Sequence, residues 1–138
     1  MPPVSDLDVL IETLSPELNP GIFVFATLAA GERVDWPDLV ALIREPEGLS
    51  VVVEEGVAVK LGLQPVFRCA WITLNVNSDL QAVGLTAAFS AALGRAGISC
   101  NVVAGTNHDH VFVPLAQADA AMRALQALQA GHGRTVTG

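Results

Sequence analysis

The chain has 138 residues, 51% of them hydrophobic and 15% charged, and it carries a formal net charge of −7. This length suits one ordinary domain or two small halves that share a core, because a domain of about 60 residues is marginal on its own. The six arginines and one lysine are scattered singly, which argues against a nucleic-acid-binding surface, and no apolar stretch approaches the ~20 residues of a membrane-spanning helix.

The first forty-odd residues are predicted to form a helix, a buried strand and a second short helix. Apolar residues spaced i, i+3, i+4 and i+7 predict a helix over residues 6–14, with Ser5 as its N-cap. The unbroken apolar run Ile22–Leu28 predicts a buried strand. Asp35 is expected to cap the second helix, whose apolar residues would point inward: Leu39, Leu42 and Ile43.

A turn, a strand and an ambiguous segment follow. Residues 45–48 read as a turn and Ser50–Glu55 as a strand, whereas 57–63 fits either a strand or a short helix. Gln64 and Pro65 form the only linker-like point. The charge balance changes there, because residues 1–66 hold 11 acidic and 3 basic residues while the remainder holds 3 acidic and 4 basic ones.

The second half has clearer periodicity. Residues 67–76 alternate with apolar groups on both faces, which predicts a central strand that is covered on both sides. Residues 80–96 are expected to form a long helix that Gly97 ends. Strands over 98–106 and 110–115 and a helix over 117–130 follow, before a polar tail. This order of strand, helix, strand, strand and helix is the ferredoxin-like plan, an antiparallel sheet with helices on one face.

Several segments of both halves match sequence pieces that recur among the members of one protein family. In the second half these are the stretches Phe67–Ala87, Gly97–Gly105 and His108–Pro114. Shorter pieces lie in the first half: Ser15–Leu18, Phe23–Phe25 and Arg44–Ser50. Together they resemble small bacterial proteins that contain two ACT domains in tandem, over residues 7–128, and tandem-ACT arginine sensors are more distantly similar.

The resemblance implies an α+β protein made of two ACT-like halves, each on the ferredoxin-like βαββαβ plan. It divides the chain into a degenerate N-terminal half, residues 1–64, and a C-terminal ACT domain, residues 65–138. It also implies a regulatory protein rather than an enzyme, which binds an amino acid between ACT domains, forms a homodimer and needs no cofactor. The polar tail after residue 131 makes a poor fourth strand, so we expect a segment of the first half to complete the second sheet.

The turn that leads into the predicted helix 80–96 is the first candidate site. A helix N-terminus presents unpaired N–H groups and a positive dipole end, which favour an anion such as an amino-acid carboxylate. The alternative is that Ser78 or Asp79 only caps the helix and that Gly84 serves packing. With the resemblance, the candidate ligand-binding residues of this turn are Asn77, Ser78, Asp79, Ala82, Val83, Gly84 and Leu85.

The polar turn before the last strand is the second candidate, formed by Asn107, His108 and Asp109. The resemblance implies that this turn lies beside the first one, so that Asp109 meets the ammonium or side chain of a bound amino acid. The simplest alternative is a turn in which Asp109 bonds its own backbone. His108 and His110 would allow a metal site, but we expect no metal.

A protein-interaction adaptor without a small ligand is the second functional hypothesis. Charged residues make up 15% of the chain against the usual ~25%, which predicts that a partner covers apolar surface on the helix 80–96 or on the sheet face of Cys69 and Trp71. We expect neither nucleic-acid nor membrane binding. The N-terminus lacks the basic and apolar pattern of a signal peptide, so we expect a cytoplasmic protein with reduced Cys69 and Cys100.

Overall fold

The computed structural model describes residues 6–132. In chain order its helices and strands are α1 (Leu7–Glu12), β1 (Pro16–Leu18), β2 (Phe23–Leu28), β3 (Leu39–Glu45), β4 (Gly48–Glu54), α2 (Glu55–Leu61), β5 (Phe67–Leu74), α3 (Leu85–Arg95), β6 (Asn101–Ala104), β7 (Asp109–Pro114) and α4 (Ala118–His132). Single 3₁₀ turns precede β3 and α4. No helix within these residues combines the length and hydrophobicity needed to cross a bilayer.

The strands form one antiparallel sheet in the order β3-β4-β2-β5-β7-β6, and β1 pairs with a further part of β5. The first three strands of the second half, β5, β6 and β7, take the positions of a ferredoxin-like sheet. Its fourth position, on the free side of β5, is filled by the first half. There β1 pairs with Ile72–Leu74 and the start of β2 pairs with Phe67–Cys69. The expectation that the first half completes the second sheet is confirmed.

The same relation holds in the opposite direction. Strands β2, β3 and β4 take the corresponding three positions in the first half, and β5 lies beside β2 where a fourth strand belongs. Each half therefore completes its sheet with strand residues of the other half: β5 for the first sheet, and β1 with the start of β2 for the second. The two antiparallel sheets overlap at β2 and β5, and the fold is α+β and ferredoxin-like in both halves.

Helices cover one face of the sheet. In the second half α3 and α4 pack on β5 and β7, and α1 from the first half joins the same core through Leu10 and Ile11. In the first half α2 covers β2 and β4, which shows that the ambiguous segment 57–63 contributes to a helix. The periodicity of 67–76 is confirmed, because Ala70, Ile72 and Leu74 lie in this core while Cys69 belongs to the cluster on the other face.

The other face is closed by curvature of the sheet. Phe25 and Phe112 lie on strands separated by β5, roughly 10 Å apart in a flat sheet, yet their ring centroids are 5.3 Å apart. The sheet is therefore concave on this side. Phe112 is 1% exposed and Cys69 0%, although every member of their cluster comes from a strand or its flanking bulge. The prediction that Cys69 lies on a partner-binding surface is wrong, because the chain itself buries it.

Three element predictions for the helices need correction. The helix expected after Asp35 is only a 3₁₀ turn, and Leu39, Leu42 and Ile43 belong to strand β3, where the latter two are exposed. The N-cap of α1 is Asp6, whose carboxylate accepts hydrogen bonds from the N–H groups of Asp8 and Val9. The predicted cap Ser5 and the polar tail beyond residue 132 lie outside the described residues.

The helix predicted for 80–96 is shorter than expected. It begins at Leu85, and Leu80 is exposed in the preceding loop. Gly84 is its N-cap with φ +102°, a conformation that a helix cannot contain and that glycine adopts without strain. The proposed capping by Ser78 or Asp79 is therefore wrong. The Asp79 carboxylate instead accepts a hydrogen bond from the N–H of Gln81 at 2.8 Å within the loop.

Candidate functional site

Two neighbouring strands bring the two candidate turns to the same end of the sheet. Leu74, the last residue of β5, pairs with Asp109, the first residue of β7. The chain leaves β5 into the loop 75–84, which leads to α3, and it enters β7 from the turn 105–108. The loop and the turn therefore start from paired backbone positions. A binding site made from both segments requires them to lie close together, and this pairing brings them together.

Hydrogen bonds to the segment around β1 anchor the start of the loop between β5 and α3. The Asn75 side-chain amide donates to the Glu17 carboxylate at 2.9 Å, and the Asn75 backbone N–H donates to the carbonyl of Ser15 at 3.2 Å. Asn77 already has a partner, and Ser78 and Asp79 are half-buried. The polar side chains of this loop therefore hold its conformation, and the Ala82 N–H that follows them donates to the carbonyl of Asp79 at 2.9 Å.

The start of α3 lacks a side-chain cap. Gly84 is the N-cap and makes no such hydrogen bond, so the first-turn N–H groups are not satisfied by a capping side chain. Ala82 packs against the core, Leu85 is buried in it, and Val83 is 84% exposed. A side chain at Gly84 would have its Cβ 3.0 Å from Leu7 Cδ2. Packing against α1 is therefore one reason for glycine here, besides its positive φ.

The turn before β7 places a carboxylate in an apolar environment. Asn107 is exposed, while Asp109 is 7% exposed. Asp109 lies on the face of β7 that carries Val111 and Val113, the helix-covered face. Burial raises the pKa of Asp109, and the charge of neighbouring His110 only partly opposes this. The site thus contains an acid whose charged form is poorly solvated.

The two histidines of this segment differ in their surroundings. His110 lies on the concave face, where its Nδ1 accepts a hydrogen bond from Trp71 Nε1–H at 3.0 Å and lies 3.2 Å from Thr73 Oγ1. Burial and the charge of His108 lower the pKa of His110, so the neutral ring is favoured. His108 Nδ1 is buried without a hydrogen-bond partner in residues 6–132. No three His, Cys, Asp or Glu in that range are grouped to hold a metal ion.

A residue that no sequence pattern indicated, Asn19, extends this polar network. Asn19, between β1 and β2, donates its backbone N–H to the carbonyl of Trp71 at 2.9 Å. Its side-chain amide donates to Thr73 Oγ1 at 2.9 Å. Asn19 is 52 positions from Trp71 in sequence, so no local pattern could connect them. The flanking Pro20 was the one available signal that the strand is interrupted here.

Family models match both halves of the chain. One model described as an ACT domain matches residues 2–70, and a second with the same description matches residues 66–127. No curated protein matches the sequence. The two matches meet at the start of β5, one of the two strands at which the sheets overlap.

Solved structures with the same fold include a protein of unknown function from Vibrio cholerae, titled a possible transport protein. It is 41% identical, covers 89% of this chain and 95% of its own, and has a TM-score of 0.75. A protein from Agrobacterium tumefaciens is 17% identical, with coverage of 83% and 87% and a TM-score of 0.59. The regulatory subunit of aspartate kinase from Thermus thermophilus is 14% identical, with coverage of 84% and 97% and a TM-score of 0.58. The last two show likeness of fold alone.

Proposed function

Because this chain belongs to the ACT-domain family, with two such domains in tandem, we propose that it is a regulatory protein that binds a free amino acid and is not an enzyme. The ligand would lie at the end of the sheet between the loop 75–84 and the turn 105–108. The aspartate kinase regulatory subunits among its structural neighbours support a regulatory role. Its two free cysteines suit a cytoplasmic location.

The buried carboxylate of Asp109 is the observation that carries the proposal. Burying an acid lowers stability unless its charge is compensated, and burial is what raises the pKa of Asp109. A ligand ammonium would supply the missing compensation. Asn107 and His108 border the same position and would contact the ligand side chain. The unpartnered Nδ1 of His108 fits that role.

The ligand carboxylate would bind at the start of α3. The uncapped first turn offers N–H groups and the positive end of the helix dipole to an anion. The backbone N–H groups from Val83 to Leu85 would hold it, while Ala82, whose N–H donates to the carbonyl of Asp79, would border the site. Asn77, Ser78 and Asp79 would keep the preceding loop in place. Gly84 and Leu85 would contribute through the backbone, since the Leu85 side chain is buried in the core.

A second copy of the chain would cover this site. Leu80 and Val83 are both exposed next to the uncapped helix start, with Val83 at 84%. Exposed apolar side chains beside a polar site are typical of a surface that a partner covers. The ligand would then be enclosed between ACT domains of a homodimer, consistent with the small charged fraction of 15%.

A thermal-shift screen of the twenty amino acids tests this proposal. A ligand that binds only the folded protein raises the unfolding temperature by mass action. We expect one amino acid, or a small related group, to stabilise the wild type. Asp109→Asn should remove that shift while the variant stays at least as stable as wild type at neutral pH, because a poorly solvated charge is lost.

The matched control is Asp35→Asn, which removes one negative charge from an exposed loop of the other half. It should respond to the ligand as the wild type does. Absence of any shift at millimolar concentrations would contradict the proposal, and so would an unchanged shift in Asp109→Asn.

One observation favours the adaptor hypothesis as a second candidate. Trp36 is 83% exposed and borders a largely apolar hollow of about 200 Å³, which leucine side chains line together with Glu32 and Arg33. An exposed tryptophan at an apolar hollow is typical of a protein-binding surface. Under this hypothesis Trp36→Ala abolishes partner capture in a pull-down, and no amino acid shifts the unfolding temperature.

A further inference from the structure

A cleft of about 230 Å³ opens at the rim of the concave face. Its walls combine aromatic, aliphatic and acidic side chains: Phe23, Val40, Val57, Trp71, Asp38 and Glu54. Val40 lies at the irregularity in the pairing of β3 with β4, which turns it toward the concave face. Bulges of this kind are frequent beside binding sites because they re-aim side chains.

The aromatic wall of this cleft is held in a fixed orientation. Phe23 and Trp71 meet edge to face, with ring centroids 5.3 Å apart and planes at 89°. The Trp71 indole N–H is already bound to His110 Nδ1, and Phe112 stacks near-parallel to the indole at 6.3 Å. The indole therefore needs no rearrangement to receive a ligand. A preorganised aromatic surface attracts a cation through its π electrons.

The two carboxylates of the cleft have no partner in the described residues. Glu54 occupies the N-cap position of α2 without making a capping hydrogen bond, and Asp38 forms no salt bridge. Arg68, the base on β5, points to the opposite face of the sheet and is paired with Glu55. Among the described residues, no lysine or arginine lines the cleft. Two acidic side chains thus border the aromatic wall of this cleft.

The adjoining cleft has a different character. It measures about 190 Å³, shares Asp38 and Val57 with the first, and is lined by Arg33 and Lys60 as well as Asp35. Positive and negative side chains are both present there, so that cleft favours neither a cationic nor an anionic ligand. The cleft at Trp71 is the one in which aromatic and acidic groups face the same space without a base.

We propose that the cleft at Trp71 binds a small organic cation, an ammonium or guanidinium group on a short aliphatic chain. The charge lies between the carboxylates of Asp38 and Glu54, and the carbon atoms pack against Phe23 and Trp71. Cation–π attraction and two carboxylates act on the same group, whereas a neutral molecule of equal length gains only the apolar contact. This site is separate from the amino-acid site proposed above.

Tryptophan fluorescence tests the proposal directly. The chain has two tryptophans, so Trp36→Phe leaves Trp71 as the single emitter. Cadaverine, a five-carbon diamine, should change the Trp71 emission in a saturable way below about 10 mM, whereas the neutral 1,5-pentanediol should bind at least about tenfold more weakly. No saturable change with cadaverine, or an equal response to the diol, would overturn the proposal.

Charge-neutral variants locate the binding. Glu54→Gln and Asp38→Asn should each weaken cadaverine binding about fivefold at constant ionic strength. Glu47→Gln removes the same charge from the turn between β3 and β4 and should leave the affinity within about twofold. An equal loss in Glu47→Gln would show attraction to net charge alone and overturn the site. Asp109→Asn should bind cadaverine normally, so this test and the amino-acid screen fail independently.

Discussion

His110 connects the polar network of the concave face to the pH of the solution. Its Nδ1 accepts the Trp71 indole N–H, which requires an unprotonated nitrogen at that position. Burial lowers the pKa of His110, and the charge of His108 adds to the effect. Protonation of Nδ1 would therefore place a second N–H donor opposite the Trp71 N–H and break this hydrogen bond. The hydrogen bonding on the concave face therefore depends on the protonation state of His110.

The sign of the resulting pH dependence follows from proton binding. A histidine whose pKa is lowered on folding binds fewer protons in the folded chain, so protonation favours unfolding. Above about pH 6.5, His110 should not change the free energy of unfolding. As the pH falls from there toward the lower pKa that His110 has in the folded chain, the free energy of unfolding should decrease. Urea denaturation at several pH values from about 7.5 to about 5.5 measures this.

His110→Gln provides the comparison for that experiment. The glutamine amide oxygen can still accept the Trp71 N–H but does not titrate. The variant should lose less stability than the wild type over the same pH range, because every other ionisable group is common to both proteins. Parallel pH profiles for the two proteins would show that His110 is not the responsible group.

At the level of elements, α1 belongs to the first half in sequence and to the second half in packing. Leu10 is fully buried in the core beneath α3 and α4, whereas neighbouring Val9 is exposed. Leu10→Ala should lower the free energy of unfolding by about 3 kcal/mol, since it leaves a cavity in a packed core. Val9→Ala in the same helix should cost less than about 1 kcal/mol. Chemical denaturation measures both, and similar losses would mean that α1 is not docked.

The elements also show what local sequence pattern can and cannot predict. Strand β5 was predicted from alternation because both of its faces are buried, and the turn at Asp109 was identified by its polar residues. Strand β3 was misread as helical because it is a half-exposed strand with exposed Leu42 and Ile43. The late start of α3 depends on the φ of Gly84, and the role of Asn19 depends on residues 52 and more positions away. Neither a single backbone dihedral angle nor a long-range hydrogen bond produces a recognisable pattern in the neighbouring sequence.

At the scale of the whole molecule, the shared strands make the two halves one cooperative unit. Residues 65–138 alone lack β1, β2 and α1, which supply the fourth strand and part of the core of the second sheet. We expect this fragment to be largely unfolded by far-UV circular dichroism, while the full chain unfolds in one transition. A fragment with native-like dichroism and cooperative melting would show that the second half is independent.

The reciprocal completion of the two sheets also sets an order of events during synthesis. Strands β1 and β2 leave the ribosome well before β5, yet β5 is their pairing partner. The nascent first half therefore presents an unpaired strand edge, rich in phenylalanine and valine, until residues 67–74 emerge. Such an edge invites pairing with another chain. For this protein, a chaperone would be most useful in the interval between the translation of β2 and that of β5, when it could shield the unpaired strand edge.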